Sequence, residues 1–404
     1  MSEWQTKRLG DVLQLNYGKS LPLKSRVDGA IPVYGSNGIV GSHNYPIVDK
    51  PGLVVGRKGS AGEVHFSRRP FCPIDTTFYV TEDDAPDTDL EFLFYLLRHV
   101  DLRRITGDVG VPGLNREMAY MEPVRLPAAL PEQKKIAHIL STVQRAIEAQ
   151  ERIIQTTTDL KKALMHKLFT EGLRNEPQKQ TEIGPVPESW EVVTVQDLVD
   201  RDIIDKPIDG NHGEIHPKVA DFVSEGIPFI MASDLKGGLV DLKTCNFLTK
   251  ERADSLRKGF SLPGDVLISH KATIGETAIV PAVEHYIMLT PQVTYYRVLD
   301  RDALSNRYLR CYFDSPTFQK PLKNVAGDGS TRAYIGITKQ RGLPVLVPKI
   351  DEQRELADIL GCLDEKIRQA IAKEKAFSDL FRTLLHELMT AKTRVANINL
   401  AIAT

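Results

Sequence analysis

An internal repeat constrains the fold of this chain more than any other feature of its sequence. Residues 131–170 align with residues 351–390 without a gap, at an offset of 220 (352 − 132). Twelve of the 40 aligned positions are identical, whereas unrelated segments would share roughly two or three at average amino-acid usage. Glu132-Gln133 recurs as Glu352-Gln353. Two copies are too few for a solenoid, so they predict a molecule with internal pseudo-twofold symmetry.

The repeat extends towards the N-terminus of each copy in less regular form. The offset is smallest at the first match, where it is 186 (190 − 4), so the second copy contains insertions. The matched positions are Trp4 with Trp190, Ile31-Pro32 with Ile227-Pro228, Gly62-Glu63 with Gly275-Glu276, and Gly107-Asp108 with Gly327-Asp328.

The strongly matched end of each copy predicts a long helix. Pro131 and Glu132 suit a first helical turn, and apolar residues then recur at spacings of three and four over five heptads. A single amphipathic helix on a core would give a similar pattern. The length and the matched pair favour two helices that pack on each other as an antiparallel coiled coil. Polar residues in the seam either set its register or face another partner: Gln150, Thr157, Lys161 and Glu374.

The remainder of each copy, 1–130 and 190–349, is rich in Gly, Pro and short β-branched runs. This composition predicts two α+β globules of short strands between turns. Predicted strands are Leu53–Val55, Thr76–Val80, Val266–Ile268 and Val293–Tyr296, and predicted short helices are Asp89–His99 and Asn306–Phe313. The segment 173–189 has the Pro- and Gly-containing composition of an exposed linker.

Composition excludes several classes of protein. The 404 residues carry a net charge of −1, which argues against a polybasic nucleic-acid binder but not against a local basic surface. No apolar stretch reaches the roughly 18 residues that a membrane span needs, and the first residues lack the apolar core of a signal peptide. The four cysteines are far apart and predict neither disulfides nor a zinc site. A cytoplasmic protein is therefore expected.

The order globule–helix–globule–helix and several short phrases together resemble the specificity (S, or HsdS) subunit of type I restriction–modification systems. The phrases span nearly the whole chain and are specific in combination. They are Ile31-Pro32-Val33-Tyr34-Gly35-Ser36-Asn37-Gly38, Gly56-Arg57-Lys58-Gly59-Ser60-Ala61-Gly62, Pro131-Glu132-Gln133-Lys134-Lys135-Ile136-Ala137, Ile183-Gly184-Pro185-Val186-Pro187-Glu188-Ser189-Trp190-Glu191, Gly264-Asp265-Val266-Leu267-Ile268-Ser269 and Asp351-Glu352-Gln353-Arg354-Glu355-Leu356-Ala357.

The resemblance implies two target recognition domains, 1–130 and 190–349, each reading one half of a bipartite site in double-stranded DNA. The helical segments 131–172 and 350–392 would then set the spacing and dock two modification (methyltransferase) subunits. Those subunits would bind S-adenosylmethionine and methylate adenine, and a motor–nuclease subunit would join for restriction. No cofactor is expected in this chain itself. Residues 391–404, which include a tail at 393–404, have no feature that the sequence assigns.

In the first globule, two turns offer candidate DNA contacts. The glycines of Gly56–Gly62 allow close approach to a phosphate, and Arg57, Lys58 and Ser60 can donate to it. The Asn-Gly pair after Ser36 and Asn37 is a hairpin signal, and both side chains are candidates at its tip. A tight turn with solvated charges is the alternative at each place.

In the second globule, Asn211 and His212 lie in a Gly-rich loop and are candidates for base contacts. His212 and His216 have the spacing of a helical metal pair, but the surrounding Gly and Pro oppose a helix, and no metal site is predicted. Lys271 and Thr273 align with the Arg57 turn and inherit its role. Arg332, in the loop 327–334, is the last candidate for a DNA contact. The alternative is that this loop is a simple connector.

No catalytic constellation is present in the sequence. An adenine methyltransferase would need an Asn/Asp-Pro-Pro-aromatic motif, and the chain has no Pro-Pro pair. Glu132-Gln133-Lys134 superficially resembles a nuclease motif, but its position at a helix start favours a capping role. A non-catalytic recognition subunit is predicted. The alternative is a protein-interaction scaffold without DNA binding, which would lack the salt-dependent duplex affinity of a DNA-binding protein.

Overall fold

A computed structural model describes residues 3–105, 113–212, 215–271, 273–326 and 334–395. The chain forms two compact units. Unit 1 comprises Met1–Glu151 and Ala372–Thr404, and unit 2 comprises Arg152–Ile371. Each unit therefore contains one globule and one half of each long helix.

Unit 1 begins with the first globule, whose strands are short. Its elements are β1 (Trp4–Arg8), β2 (Asn16–Tyr17), β3 (Ile31–Gly35), β4 (Gly38–His43), β5 (Gly52–Gly56), β6 (Val64–Ser67), β7 (Cys72–Pro73), β8 (Thr77–Val80), α1 (Leu90–Val100), α2 (Arg116–Met121), β9 (Pro123–Pro127) and the long helix α3 (Leu130–Glu171). The strands form a four-stranded sheet β2-β8-β5-β6, a three-stranded sheet β4-β3-β7 and the antiparallel pair β1-β9.

Unit 2 repeats this plan with insertions. Its elements are β10 (Gln178–Thr181), β11 (Gly184–Pro187), β12 (Glu191–Thr194), α4 (Val195–Asp200), β13 (Ile208–Asp209), β14 (Phe222–Val223), β15 (Ile227–Ile230), β16 (Leu235–Lys236), β17 (Gly238–Val240), β18 (Asn246–Leu248), α5 (Lys250–Asp254), β19 (Phe260–Ser261), β20 (Val266–Lys271), β21 (Thr273–Ile279), β22 (Ile287–Leu289), β23 (Val293–Tyr296), α6 (Asn306–Asp314), α7 (Pro316–Ala326), α8 (Ile337–Arg341), β24 (Pro344–Val347) and the long helix α9 (Ile350–Met389).

The predicted α+β class, strands and short helices are confirmed. The sheet β13-β23-β20-β21-β17-β16 extends the four-stranded arrangement of unit 1 by two strands, and β12-β24 repeats β1-β9. Asp89 caps α1 by accepting from the Phe92 amide, and Ser305 caps α6 by accepting from the Tyr308 amide. The segment 173–189, whose composition suggests an exposed linker, forms the hairpin β10-β11, and its Val186 is buried.

The predicted antiparallel pairing of the long helices is also confirmed within each unit. In unit 1, Ile136 and Leu140 near the start of α3 share a core with Leu388 at the end of α9. In unit 2, Leu168 near the end of α3 shares a core with Leu356 near the start of α9. In each case the beginning of one helix packs beside the end of the other, which defines an antiparallel seam.

Neither long helix resembles a membrane span. Across the described residues, no helix combines the length and the apolar character that crossing a bilayer requires.

A buried glutamate links each long helix to a tryptophan at or just before a strand of its globule. Glu132 accepts hydrogen bonds from Trp4 Nε1 at 3.3 Å and from Arg394 Nε at 2.9 Å. Glu352 accepts from Trp190 Nε1 at 3.2 Å and from the Leu173 amide at 2.9 Å. Both glutamates therefore have long-range partners, whereas their position at a helix start predicts only a capping role.

The glutamine beside each glutamate joins the long helix to the short helix of the globule. Gln133 Oε1 accepts from the Asp89 amide at 2.8 Å, and its Nε2 donates to Pro127 O at 2.9 Å. Gln353 repeats both bonds, with the Ser305 amide at 2.8 Å and Pro348 O at 2.9 Å. Both glutamines are fully buried. The identity of the Glu-Gln pair in the two copies therefore has a structural cause.

Lys161, one of the polar seam residues, contacts both the other long helix and a second partner, the two possibilities predicted for these residues. Its ammonium lies 2.6 Å from Asp364 of α9 and 2.9 Å from Asp314 of α6. Arg310 donates to the other oxygen of Asp364 at 2.6 Å. Because Asp364 and Arg310 are almost completely buried, removing one partner would leave an uncompensated charge in the core of unit 2.

The residues that follow α9 have a role that the sequence does not reveal. Ala391 adopts a left-handed conformation (φ 55°), as Gly172 does after α3 (φ 67°). Arg394 then reaches Glu132, and Val395 is buried in the core of unit 1. The expectation that residues 391–404 carry no assignable feature is therefore wrong for 391–395, while 396–404 lie outside the described residues.

We predict that Glu352→Ala destabilises unit 2 by about 2–4 kcal/mol, because two buried donors, Trp190 Nε1 and the Leu173 amide, lose their acceptor. Denaturant unfolding of the full chain would measure this. Asp351→Ala, one residue earlier and exposed, is the matched control and should change the free energy of unfolding by less than about 0.5 kcal/mol. Equal effects of the two substitutions would contradict the role given to Glu352.

Candidate nucleic-acid interface

The turn between β5 and β6 holds three of the predicted contact residues: Arg57, Lys58 and Ser60. Gly59 and Gly62 have φ values of 79° and 82°, which side chains other than glycine rarely adopt. A Cβ on Gly62 would also lie 2.5 Å from the Arg103 backbone nitrogen, so only glycine fits there. Lys58 is exposed, and Arg57 and Ser60 are partly exposed.

This turn is fixed from two sides by backbone hydrogen bonds. The Arg57 amide donates to Thr76 O at 2.9 Å, and the Arg57 carbonyl accepts from the Leu114 amide at 2.9 Å. Lys58 also forms an isolated antiparallel bridge with Gly113. The backbone of the turn is therefore held beside the residues that lead into α2.

The β3-β4 hairpin brings the other two predicted residues of unit 1 to the same place. A Cβ on Gly59 would lie 3.5 Å from Ser36 Oγ, and His65 Nε2 lies 3.3 Å from Ser36 O. Asn37, at the tip, is exposed. The structure therefore assembles all five candidates of unit 1 (Ser36, Asn37, Arg57, Lys58 and Ser60) at one end of the globule.

Two further residues join this group that the sequence did not single out. The guanidinium carbons of Arg57 and Arg116 lie 5.0 and 5.1 Å from the centre of the Tyr17 ring, within cation–π range. Half of the Tyr17 surface is exposed. No sequence signal links positions so far apart in the chain, because strand pairing alone places Tyr17 beside the turn.

Unit 2 anchors the equivalent segment in the same way, although its strands β20 and β21 continue to Lys271 and Thr273. His270 occupies the place of Arg57, and its carbonyl accepts from the Ile335 amide at 3.0 Å. Lys271 forms an isolated bridge with Tyr334, as Lys58 does with Gly113. Lys271 and Thr273 are both exposed, as the alignment with the Arg57 turn predicts for contact residues.

His270 itself is buried and is held by Thr294. Its Nδ1 lies 2.8 Å from Thr294 Oγ1, and its ring centre lies 5.6 Å from that of Tyr334. Among the described residues, no hydrogen-bond partner is found for its Nε2. Burial lowers the pKa of the His270 imidazole to about 4, so the ring is neutral at pH 7.

A histidine and a lysine surround Asp209 in unit 2. His212 Nε2 lies 2.6 Å from Asp209 Oδ2, and Lys258 Nζ binds the other oxygen. Burial raises the pKa of the Asp209 carboxyl, but the hydrogen bonds from Lys258 and His212 outweigh that effect and lower the pKa overall. The side chains of His212 and Lys258 remain partly exposed, so a single buried carboxylate positions two hydrogen-bond donors at the surface.

Asn211 has a different environment from the one expected of a base-reading side chain. It is 2% exposed, and its Oδ1 lies 3.4 Å from the Arg257 amide. This placement favours a structural role for Asn211. His216 is also occupied internally, since its Nδ1 lies 3.1 Å from Asn211 O. Of the three residues, only His212 is exposed.

Some sequence predictions lie outside the described residues. Arg332 belongs to the segment 327–333, and Gly107-Asp108 belongs to 106–112, neither of which the structure describes. Where the chain is described, no group of His, Cys, Asp or Glu side chains is suitable for holding a metal ion.

Strand register makes Tyr17 and Asp209 equivalent positions in the two units. Tyr17 pairs with Phe78 of β8, and Asp209 pairs with Thr294 of β23. Glycine follows each of them, and a Cβ on Gly18 or Gly210 would lie 2.1 Å from a carbonyl oxygen of the neighbouring segment. The two units therefore share a backbone at this place and differ in the chemistry of its side chains.

Comparison with known proteins gives a consistent result. The family model described as "Type I restriction modification DNA specificity domain" matches residues 1–157. The type I restriction enzyme MjaVIII specificity subunit of Methanocaldococcus jannaschii is 24% identical, and the match covers 98% of this chain and 94% of that protein. A putative MjaX specificity subunit from the same organism is 25% identical over 75% of this chain and 68% of its own length.

The fold is also shared with a solved structure. The crystal structure of a type I restriction–modification S subunit from M. genitalium superimposes with a TM-score of 0.70 at 16% sequence identity. The match covers 96% of each chain. At this level of identity, the likeness concerns the fold alone.

The buried neutral His270 predicts a pH dependence of stability. Above about pH 6.5 the imidazole is neutral in both the folded and the unfolded chain. Between pH 6.5 and 4 only the unfolded chain takes up the proton, so the free energy of unfolding falls by up to about 3 kcal/mol as the pH is lowered. His270→Asn, which retains a polar atom near Nδ1, should flatten this slope in denaturant titrations between pH 7 and pH 5. The same slope in both proteins would contradict the assignment.

Proposed function

We propose that this chain is a specificity subunit of a type I restriction–modification system and that each of its two globules reads one half of a bipartite DNA site. It acts as the recognition subunit, without catalytic chemistry of its own. The globule of unit 1 and the globule of unit 2 are its two target recognition domains.

One observation carries the proposal. Equivalent backbone bonds anchor the same place in both units, and in each unit this place presents an exposed lysine, Lys58 or Lys271. Cations on rigidly held loops supply affinity for phosphates, and forked polar side chains beside them discriminate bases. Duplex DNA presents the same phosphate groups to both units, so it suits a lysine that is anchored in the same way in each.

The differences between the two turns favour two different half-sites. Unit 1 surrounds its turn with arginines and an exposed tyrosine, whereas unit 2 uses His212 and Lys258 around Asp209. A homodimeric reader would present identical groups to both halves of its site. Two unlike globules in one chain support a non-palindromic target.

The long helices support a role in spacing. Helix α3 has 42 residues, which corresponds to about 63 Å at a rise of 1.5 Å per residue. Helix α9 has 40 residues and packs antiparallel to α3 in each unit. We infer that this pair fixes the number of base pairs between the half-sites.

The exposed faces of the same helices are the proposed docking surfaces for two methyltransferase subunits. Those subunits would supply S-adenosylmethionine and transfer its methyl group to adenine, and a motor–nuclease subunit would join the assembly for restriction. The proposed contribution of this chain is to present a defined DNA segment to them.

The test of the proposed function is a map of N6-methyladenine in the source genome with and without this gene. We expect one bipartite, gapped motif to lose methylation when the gene is deleted and to regain it when the gene is restored. A gene copy carrying Glu352→Ala, which destabilises unit 2, should restore it poorly.

An unchanged methylation map, together with no salt-dependent binding of duplex DNA by the purified chain, would favour the protein-interaction scaffold instead. If the chain binds duplex DNA with an affinity that falls steeply with salt but the methylation map is unchanged, the partner subunits are absent or inactive.

A second prediction concerns the spacing. Deleting one heptad from each long helix shortens the pair by about 10 Å, which corresponds to about three base pairs of DNA. We expect the methylated motif to keep both half-sites and to lose about that number of intervening base pairs. A motif with its original gap would refute the spacing role, and deletion of a heptad from one helix alone, which breaks the seam, serves as the control for loss of function.

A further inference from the structure

We propose that Tyr17 is the platform of a phosphate-binding site in unit 1, on which Arg57 and Arg116 are held to contact the backbone of duplex DNA. This inference rests on the proposed function and deepens it by adding two residues, Tyr17 and Arg116, that neither the repeat nor any sequence motif indicates.

The platform is anchored in the core. The Tyr17 ring lies 5.1 Å from the ring of Phe78, which is buried in strand β8. Arg57 contacts both rings, at 5.0 Å from Tyr17 and 6.0 Å from Phe78. The outer ring is therefore fixed in place, although half of its surface remains exposed.

Arg116 is held between two aromatic rings. Its guanidinium carbon lies 5.1 Å from the Tyr17 ring centre and 5.8 Å from that of Tyr120. Tyr120 is fixed in turn, because its hydroxyl accepts from the Leu15 amide at 2.8 Å. Cation–π contacts of this kind hold a guanidinium beside the rings, and its N–H groups can still donate to an anion.

The charges of the two arginines are little neutralised. Among the described residues, no carboxylate forms an ion pair with Arg57, whose NH1 donates to the Asp75 carbonyl at 3.1 Å. Arg116 pairs with Glu117 at 3.3 Å, but the Glu117 side chain is 75% exposed, so water and salt screen that pair strongly. With the exposed Lys58 beside them, they form a local cationic surface on a chain of net charge −1.

The fold does not require a tyrosine at this position. Asp209 occupies the equivalent register position in unit 2, and its strand pairs with β23 as β2 pairs with β8. An exposed aromatic ring is therefore not needed to close the sheet. The tyrosine in unit 1 is explained by its support of two arginines that bind DNA phosphates.

The test uses the purified full-length chain and a pool of duplex DNA of random sequence, with binding measured over a range of salt concentrations. Arg116→Ala should weaken binding about three- to tenfold and reduce the slope of log K against log salt by about 1. Tyr17→Ala should weaken binding by a similar factor, because both guanidinium groups lose their support. Tyr17→Phe should bind like the parent protein, because the ring and not the hydroxyl forms the platform.

A double-mutant cycle separates the platform from a general effect on folding. Tyr17→Ala should have no further effect when Arg57 and Arg116 are already alanine. Arg382→Ala removes one exposed arginine of α9, whose side chain is 80% exposed, and should change neither affinity nor slope beyond a small amount. Thermal unfolding of each variant checks that it is folded, and if Tyr17→Ala is not, Arg116→Ala and Arg116→Lys decide the question.

The outcomes distinguish this inference from the proposed function. If the parent chain binds no duplex at any salt concentration, the platform is overturned, and the proposed function is overturned with it only if the methylation map is also unchanged. If it binds, but Arg116→Ala and Tyr17→Ala leave affinity and slope unchanged, the platform is refuted and the proposed function stands. If Tyr17→Phe loses as much affinity as Tyr17→Ala, the hydroxyl rather than the ring is responsible, and the platform is again refuted.

Discussion

The rest of the structure depends on the buried Glu-Gln pair at the start of each long helix. The glutamate binds a tryptophan, which is Trp4 in β1 or Trp190 just before β12, and the glutamine binds the amide at the start of a short helix. These bonds form away from water, where an unsatisfied partner would be costly. They fix the angle between globule and helix, and with it the position of every turn that the globule presents.

That common frame explains how two unlike surfaces arise from one architecture. The backbone around Tyr17 is reproduced around Asp209, down to the glycine that follows and the strand that pairs with it. One unit places an aromatic ring under two arginines, and the other places a buried carboxylate beneath a histidine and a lysine. Substitutions at such positions change the surface without disturbing the frame, because the frame is carried by the helices and the Glu-Gln pair.

The sequence predicts the parts of the fold that depend on local pattern. Heptad spacing identifies both long helices, and β-branched runs identify strands such as Thr77–Val80. It also locates the cationic turns, because glycines with positive φ leave a visible signature at Gly59 and Gly62.

What the sequence cannot predict depends on which segments meet. Arg116 reaches Tyr17 only because α2 returns to strand β2, and Asn211 is buried only because the Arg257 backbone lies against it. Glu132 looks like a helix cap from its neighbours in the chain, whereas its partners are Trp4 and Arg394. Contacts of this kind leave no periodic or compositional pattern in the sequence, so only the three-dimensional structure reveals them.

The division of the chain between its two units has a consequence for biosynthesis. Unit 2 is one continuous stretch, whereas unit 1 combines the first residues of the chain with the last. Arg394 is a partner of Glu132, and the core around Leu140 includes Leu388 and Val395. Because Ala372–Thr404 follow the whole of unit 2 in the sequence, unit 1 acquires these contacts only after unit 2 has been synthesised.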